Sequence, residues 1–471
     1  MSRLALVAWL VGVASVAVGD ERPLAQQADD AMRRAVRFYH REVASHGGYV
    51  YRYSDDLKKS EGEGKTERDT VWVQPPGTPA VGEAYLAAYE RTQEPYLLEA
   101  ARDAGECLRR GQLASGGWTD RIEFSPAARG KFAYRVDKER SKKAFNVSTF
   151  DDDKTQSAVR MLVRLDQALK FQDAAIHETC QTALDAILKA QFPNGGWAQG
   201  FESFPDPADY PVKAASFPES WPREYPGGKY WWFYTFNDNA IADTVDTLLF
   251  AARVYDEPRY RAAALKAGDF ILLAQLPDPQ PAWAQQYDFD MHPVWARKFE
   301  PPAVSGSESQ QLLRTLMRLY VESGDEKYLA PIPKALEYLR KSQIESGKLA
   351  RFYELRTNRP LYFTREYVLT YDDGDLPTHY GFQVSSKLDS LDRQFTETRR
   401  LGVEKLRQRA AKKSTDRPDE AAVRAIVKSL DERGAWVTDG KLKYHGKGDD
   451  TRRVIESEVF CRNLELLSRY L

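Results

Sequence analysis

Apolar residues recur along this chain at spacings of three and four. Ala158, Met161, Leu162, Leu165, Ala168 and Leu169 fall on one helical face, as do Ile241, Val245, Leu248, Leu249 and Ala252, and Leu312, Leu313, Leu316 and Leu319. That period predicts amphipathic helices. No stretch shows the sustained alternation of a half-buried strand. A short phrase closes the periodic segments: Cys107-Leu108-Arg109-Arg110-Gly111-Gln112 leads to Gly116-Gly117-Trp118, and Ile187-Leu188-Lys189-Ala190-Gln191 leads to Gly195-Gly196-Trp197. Ile271 to Gln275 leads in the same way to Pro281-Ala282-Trp283, and Leu339 to Gln343 leads to Gly347-Lys348-Leu349. A degraded copy ends in Gly434-Ala435-Trp436, and His46-Gly47-Gly48-Tyr49 reads as a first one.

The glutamines of these phrases are 79, 84 and 68 residues apart. Such a unit holds two helices, about twice the 33–47 residues of open solenoid repeats. The pattern therefore predicts an all-α fold, an array of helical hairpins closing into an α/α toroid. Glycine pairs supply the positive φ that ends a helix, and the tryptophan after each can fold back on the core.

The chain has 471 residues, with 68 Lys+Arg against 69 Asp+Glu. This balance argues against nucleic acid or an anionic membrane as partner. Met1-Ser2-Arg3, the apolar run from Leu4 to Val18 and the polar start at Gly19-Asp20 have the form of a signal peptide. The expectation is a leader over 1–19, an exported monomer, and a single toroid domain over 20–471. Three cysteines allow at most one internal disulfide. Two charged stretches, 55–70 and 405–420, read as mobile loops. The Pro-, Trp- and Tyr-rich insert over 201–234 is long enough to suggest a function.

In a toroid the helices that follow the Gly-Gly-Trp turns start at one end. Two of these starts echo each other: Thr149-Phe150-Asp151-Asp152-Asp153-Lys154 and Thr235-Phe236-Asn237-Asp238-Asn239-Ala240. One aspartate would cap a helix, and the rest could simply be solvated. Two acidic clusters facing each other across one mouth instead suit a hard cation such as Ca²⁺. Six histidines and three scattered cysteines give no zinc spacing. Arg297, Lys298, Arg351, Arg359 and Arg365 lie among aromatic residues. A lone arginine is usually a surface ion pair, but several beside aromatics at one mouth suit sugar carboxylates.

Gln191-Phe192-Pro193-Asn194-Gly195-Gly196-Trp197, the two Thr-Phe phrases, Ala296-Arg297-Lys298-Phe299-Glu300 with Ser305-Gly306-Ser307-Glu308-Ser309, and Ala350-Arg351-Phe352-Tyr353 together resemble polysaccharide lyase family 10 pectate lyases. The resemblance runs from about Gly116 to Tyr367. It implies an α/α toroid that cleaves polygalacturonate by calcium-assisted β-elimination. Carried over, Asp151 and Asp238 belong to the catalytic centre where calcium and the substrate carboxylate meet. Arg297 matches the proposed catalytic base, and Arg351 and Arg365 match substrate-binding arginines. Asp152, Asn237 and Lys298 join them as substrate-binding neighbours. Asp153-Lys154 departs from the family, where glycine and a small residue are expected, and Lys298 also replaces a small residue. Two other readings remain: a toroid hydrolase using Asp151 and Asp238 as an inverting acid/base pair, and a non-catalytic binder of acidic glycans.

Overall fold

The computed structural model describes residues 22–411 and 417–471, so the leader expected over 1–19 lies outside the described residues. The repeats resolve into alternating outer and inner helices. The outer ones are α1 (Leu24–Phe38), α3 (Pro95–Gly111), α5 (Ala174–Lys189), α7 (Pro258–Leu273), α9 (Ile332–Lys341) and α11 (Glu420–Ser429). Between them come α2 (Thr78–Thr92), α4 (Lys154–Ala168), α6 (Ala240–Tyr255), α8 (Gly306–Ser323), α10 (Leu388–Ala411) and α12 (Ser457–Tyr470), which form the inner set. Successive inner helices pack in the order α12, α2, α4, α6, α8, α10, and the outer helices α3, α5, α7, α9 and α11 each lie against at least one inner helix adjacent in sequence. The last helix packs on both α1 and α2, bringing the two ends of the described chain together. This is the α/α toroid that the period predicts. No helix among the described residues is long and apolar enough to cross a membrane.

The recurring phrase has a physical explanation. At the ends of α3, α5 and α7, the glutamine amide donates to its own turn and to a neighbouring outer helix or the turn leading into it. Gln112 reaches Gly116 and Thr179, Gln191 reaches Gly195 and Ala263, and Gln275 reaches Pro281 and Pro331. The indoles of Trp118, Trp197, Trp283 and Trp436 each donate to a carbonyl of the outer helix just left, at 2.8–3.0 Å. Gly195 sits at φ +95° with its Cα against the Lys266 carbonyl, so any side chain there would collide with α7. The copy at Gly347 departs from the rest: its turn joins two strands.

Small antiparallel sheets are the main departure from the all-helical expectation. Ala303–Ser305, Phe352–Glu354, Pro360–Phe363 and Leu369–Thr370 make a four-stranded sheet over a second apolar cluster of Trp295, Phe299, Phe352, Phe363 and Phe382. Strands of two to four residues are too short to show a period of two. The two stretches read as mobile loops carry secondary structure where described. Ser60–Glu61 and Lys65–Thr66 form a hairpin, and 405–411 continues α10 as far as Ala411. Residues 412–416 lie outside the described residues. All three cysteines are free.

Candidate active site

The two echoing phrases adopt one backbone design. Thr149 N bonds Trp118 O at 2.9 Å and Thr235 N bonds Trp197 O at 3.1 Å, which ties each phrase to the preceding Gly-Gly-Trp turn. Each threonine hydroxyl then accepts the N–H two residues on, Asp151 or Asn237, at 3.1 Å. Two successive left-handed residues follow, Asp152 and Asp153 at φ +47° and +62°, Asp238 and Asn239 at +47° and +59°. Left-handed backbone costs most residues energy, and Asp and Asn tolerate it best after glycine. Asp153 thus occupies a conformation that suits the glycine expected there.

This turn pushes carboxylates toward one another at the mouth of α4 and α6. Asp151, Asp152 and Asp238 each offer an oxygen within 4.8 Å of the others. Gln199 donates to Asp151 Oδ1 at 2.5 Å, Gln74 to Asp152 Oδ2 at 3.2 Å, and Asn237 to Asp238 Oδ2 at 2.6 Å. Burial, followed by the charges of Asp152, Asp151 and Glu308, pushes the Asp238 carboxyl up to about 7, with Arg297 opposing. Asp152 is raised as well, by burial and then by Asp151. Lys154 Nζ lies 2.8 Å from Asp151 Oδ2 and 3.7 Å from Asp152 Oδ2.

The donor set suits a hard divalent cation: three carboxylates converge, and Asn237 Oδ1 and Gln199 Oε1 are buried beside them with no hydrogen-bond partner among the described residues. The same closeness argues against the inverting hydrolase, whose two carboxyl groups stand roughly 6.5–9.5 Å apart to admit a water.

A cationic wall lies near the carboxylates, close enough for the Asp238 charge to act on both Arg297 and Arg351. Arg297 is gripped by Glu300 through Nε at 2.9 Å, a terminal nitrogen at 2.6 Å and its own backbone N–H at 3.0 Å. Burial alone would lower the Arg297 pKa, but the Glu300 hydrogen bonds and charge outweigh it and hold the guanidinium above its ordinary value. Arg351 donates to Gly381 O at 2.8 Å and to the Tyr380 hydroxyl at 3.3 Å, with Glu308 at 3.8 Å. Tyr380 connects the two arginines, lying 5.6 Å from Arg297 and 4.7 Å from Arg351 while its hydroxyl donates to Glu300.

Other expected residues lie further out. Lys298 is exposed, its ammonium 3.5 Å from the centre of the Tyr367 ring. Arg365 is 67% exposed and pairs with Asp375, so the structure does not gather it into this group. Gln74, Gln199 and Tyr380 join this group without having been named in the sequence reading, and Glu300 and Glu308 join it without having been given a role there. Glu300 and Glu308 stood inside the family phrases, and an acid three residues after an arginine was the available signal for the first. The 201–234 insert lies across the toroid rim: Ala215 N bonds Leu273 O, and Trp295 donates to Pro222 O. Its end carries Tyr230, whose hydroxyl is raised by burial and lowered by the charge of Arg297.

Residues 112–323 match the profile of the pectic acid lyase family. The resemblance read from the phrases is thus borne out over a stretch holding Asp151, Asp152, Asn237, Asp238, Arg297 and Lys298, and it stops short of Arg351 and Arg365. No curated protein matches the chain. Among solved structures, the family 10 polysaccharide lyase from Cellvibrio cellulosa is 19% identical, covering 68% of this chain and 97% of its own, at a TM-score of 0.46. A mutant of that enzyme in complex with trigalacturonic acid aligns over 68% of this chain and 98% of its own, with 19% identity and a TM-score of 0.48. The family 76 α-mannanase from Bacteroides thetaiotaomicron is 11% identical over 96% of both chains, at a TM-score of 0.41.

Proposed function

We propose that this protein is an exported pectate lyase that cleaves polygalacturonate by metal-assisted β-elimination, working as one catalytic domain after loss of its leader. The observation that carries this reading is the cluster of Asp151, Asp152 and Asp238 within charge-coupling reach of Arg297 and Arg351, which share Tyr380. In β-elimination the C5 proton of a uronate is removed, the C4–O bond to the departing sugar breaks and a C4=C5 double bond forms, the departing oxygen taking a proton from solvent. The C5 hydrogen is acidic only once the neighbouring carboxylate charge is neutralised. Calcium held by Asp151 and Asp238 would supply that neutralisation as a Lewis acid. Arg351, fixed by Tyr380 and Gly381, binds a second carboxylate of the polymer and holds the sugar in place.

Arg297 takes the C5 proton in this scheme, as the family resemblance implies. Its grip on Glu300 favours the charged form, so neutral guanidine is scarce at pH 7 and the rate climbs into the alkaline range. Asp152 and Asn237 line the cluster, with Asn237 holding the Asp238 carboxylate through its amide. Lys298 and Arg365, both exposed, contact more distant uronates of a long substrate.

The test is ultraviolet absorbance of the mature chain with polygalacturonate at mildly alkaline pH, with calcium or chelator. A calcium-dependent rise reports an unsaturated uronide. Reducing ends without absorbance would mean hydrolysis, and binding with neither would mean a glycan-binding protein.

A further inference from the structure

The acidic mouth already contains a cation of its own. Lys154 is the first residue of α4, where the helix dipole disfavours positive charge, and its side chain is only 8% exposed. A buried ammonium at a helix N-terminus carries two costs, and the helix does not require it: the equivalent position in the next repeat is Ala240. Two carboxylates offset those costs. Nζ lies 2.8 Å from Asp151 Oδ2 and 3.7 Å from Asp152 Oδ2, and both acids belong to the trio that converges within 4.8 Å. The lysine therefore uses one oxygen of the cation site and cancels one of its three negative charges. The buried Asn237 Oδ1 and Gln199 Oε1, each on an amide whose nitrogen already holds a cluster carboxylate, have no partner among the described residues.

We propose that Lys154 is a tethered counter-ion that competes with a divalent cation for Asp151 and Asp152, keeping the affinity of the mouth for free metal low. This rests on reading Asp151, Asp152 and Asp238 as a cation site. Divalent affinity rises with the net ligand charge, and a unit charge a few ångströms from the ion acts strongly at the partly buried dielectric of such a site. Removing the ammonium both frees an oxygen and removes the repulsion.

The experiment is calorimetric titration of the full mature chain with calcium chloride alone, with no substrate. Lys154→Met and Lys154→Gln should bind calcium roughly tenfold more tightly than the parent, or better. Lys154→Arg keeps the charge and should stay weak. Circular dichroism confirms the fold, and the glutamine variant stands in should the methionine one fail to fold. Equal affinity in the parent and in both neutral variants, with Asp238→Asn binding more weakly than all three, overturns the counter-ion and leaves the cation site standing. The lysine would then be a structural ion pair, seen as a drop in melting temperature without tighter binding. No binding in any of these proteins overturns the counter-ion together with the cation-site reading.

Discussion

The segments 149–154 and 235–240 share one backbone and carry different chemistry. Both hang from the preceding tryptophan carbonyl, both cap themselves with a threonine hydroxyl, and both turn through two left-handed residues into an inner helix. By this equivalence Asp152 answers to Asp238, and Asp151 answers to Asn237. In the first segment Lys154 and Gln199 attend the carboxylates. In the second the attendant is an amide, Asn237, and no cation is bonded directly to Asp238 among the described residues. The repeat thus fixes where carboxylates stand, and the side chains decide which of them stays free to take up charge.

The largest effect should follow from removing the free carboxylate. Asp238→Asn keeps the left-handed turn and should lower kcat on polygalacturonate on the order of 10²–10³-fold, the scale of losing one group that meets transition-state charge. Extra calcium should restore only part of it. Asp152→Asn at the equivalent position, where Lys154 already neutralises the neighbourhood, should lose less. Equal losses in steady-state kinetics would mean that the two segments are functionally alike.

A second test bears on Arg297, whose charge acts on carboxylates of both segments. If Arg297 takes the proton, its pair with Glu300 sets how alkaline the medium must be. Glu300→Gln removes the charge that holds the guanidinium, so the rising limb of kcat against pH should move down by about one unit. An unmoved limb with a fallen kcat would make Glu300 a positioning residue and take the base role from Arg297.

Much of this comparison was legible in the sequence because the repeat writes the same physical need several times. Gln191, Gly195 and Trp197 recur since each meets one fixed need. The amide ties two outer helices, the glycine turns left-handed against the next one, and the indole bonds the helix just left. The Thr-Phe-acid echo pointed to the candidate site for the same reason. What stayed hidden depends on distant chain. Tyr380 reaches Glu300 across 80 residues, and Gln74 reaches Asp152 across 78. The rim sheets are too short to have a pattern. The distance of Arg365 from the cluster was hidden as well, because its immediate sequence neighbours do not report that its partner is Asp375.

Stability should separate the segments as well. Asp243, on the second helix, stands where the first has Ser157, and burial followed by the charge of Asp153 pushes its carboxyl up to about 7. A carboxyl raised above its unfolded value of about 3.9 costs nothing while protonated in both states. The cost grows as pH rises from about 4 and is complete above about 7. Asp243→Asn should therefore match the parent near pH 4 and be more stable at pH 8 by on the order of 1–2 kcal/mol in denaturant titrations. A gain of the same size at both pH values would place its origin elsewhere.

A last comparison tests the shared turn itself. Asp153 and Asn239 occupy the same left-handed position, at φ +62° and +59°. Glycine relieves the backbone equally in both, so any difference belongs to the side chains. Asp153 holds Arg160 at 2.5 Å inside the ring, and removing it leaves that guanidinium poorly paired. Asn239 is exposed. Asp153→Gly should therefore destabilise the chain by roughly 1–3 kcal/mol, the range for breaking a partly buried pair. Asn239→Gly should fall within about 0.5 kcal/mol of the parent, because relief of left-handed strain and the added freedom of the unfolded chain nearly cancel. Equal destabilisation by both would mean that the turn, rather than the Arg160 pair, is what Asp153 supports.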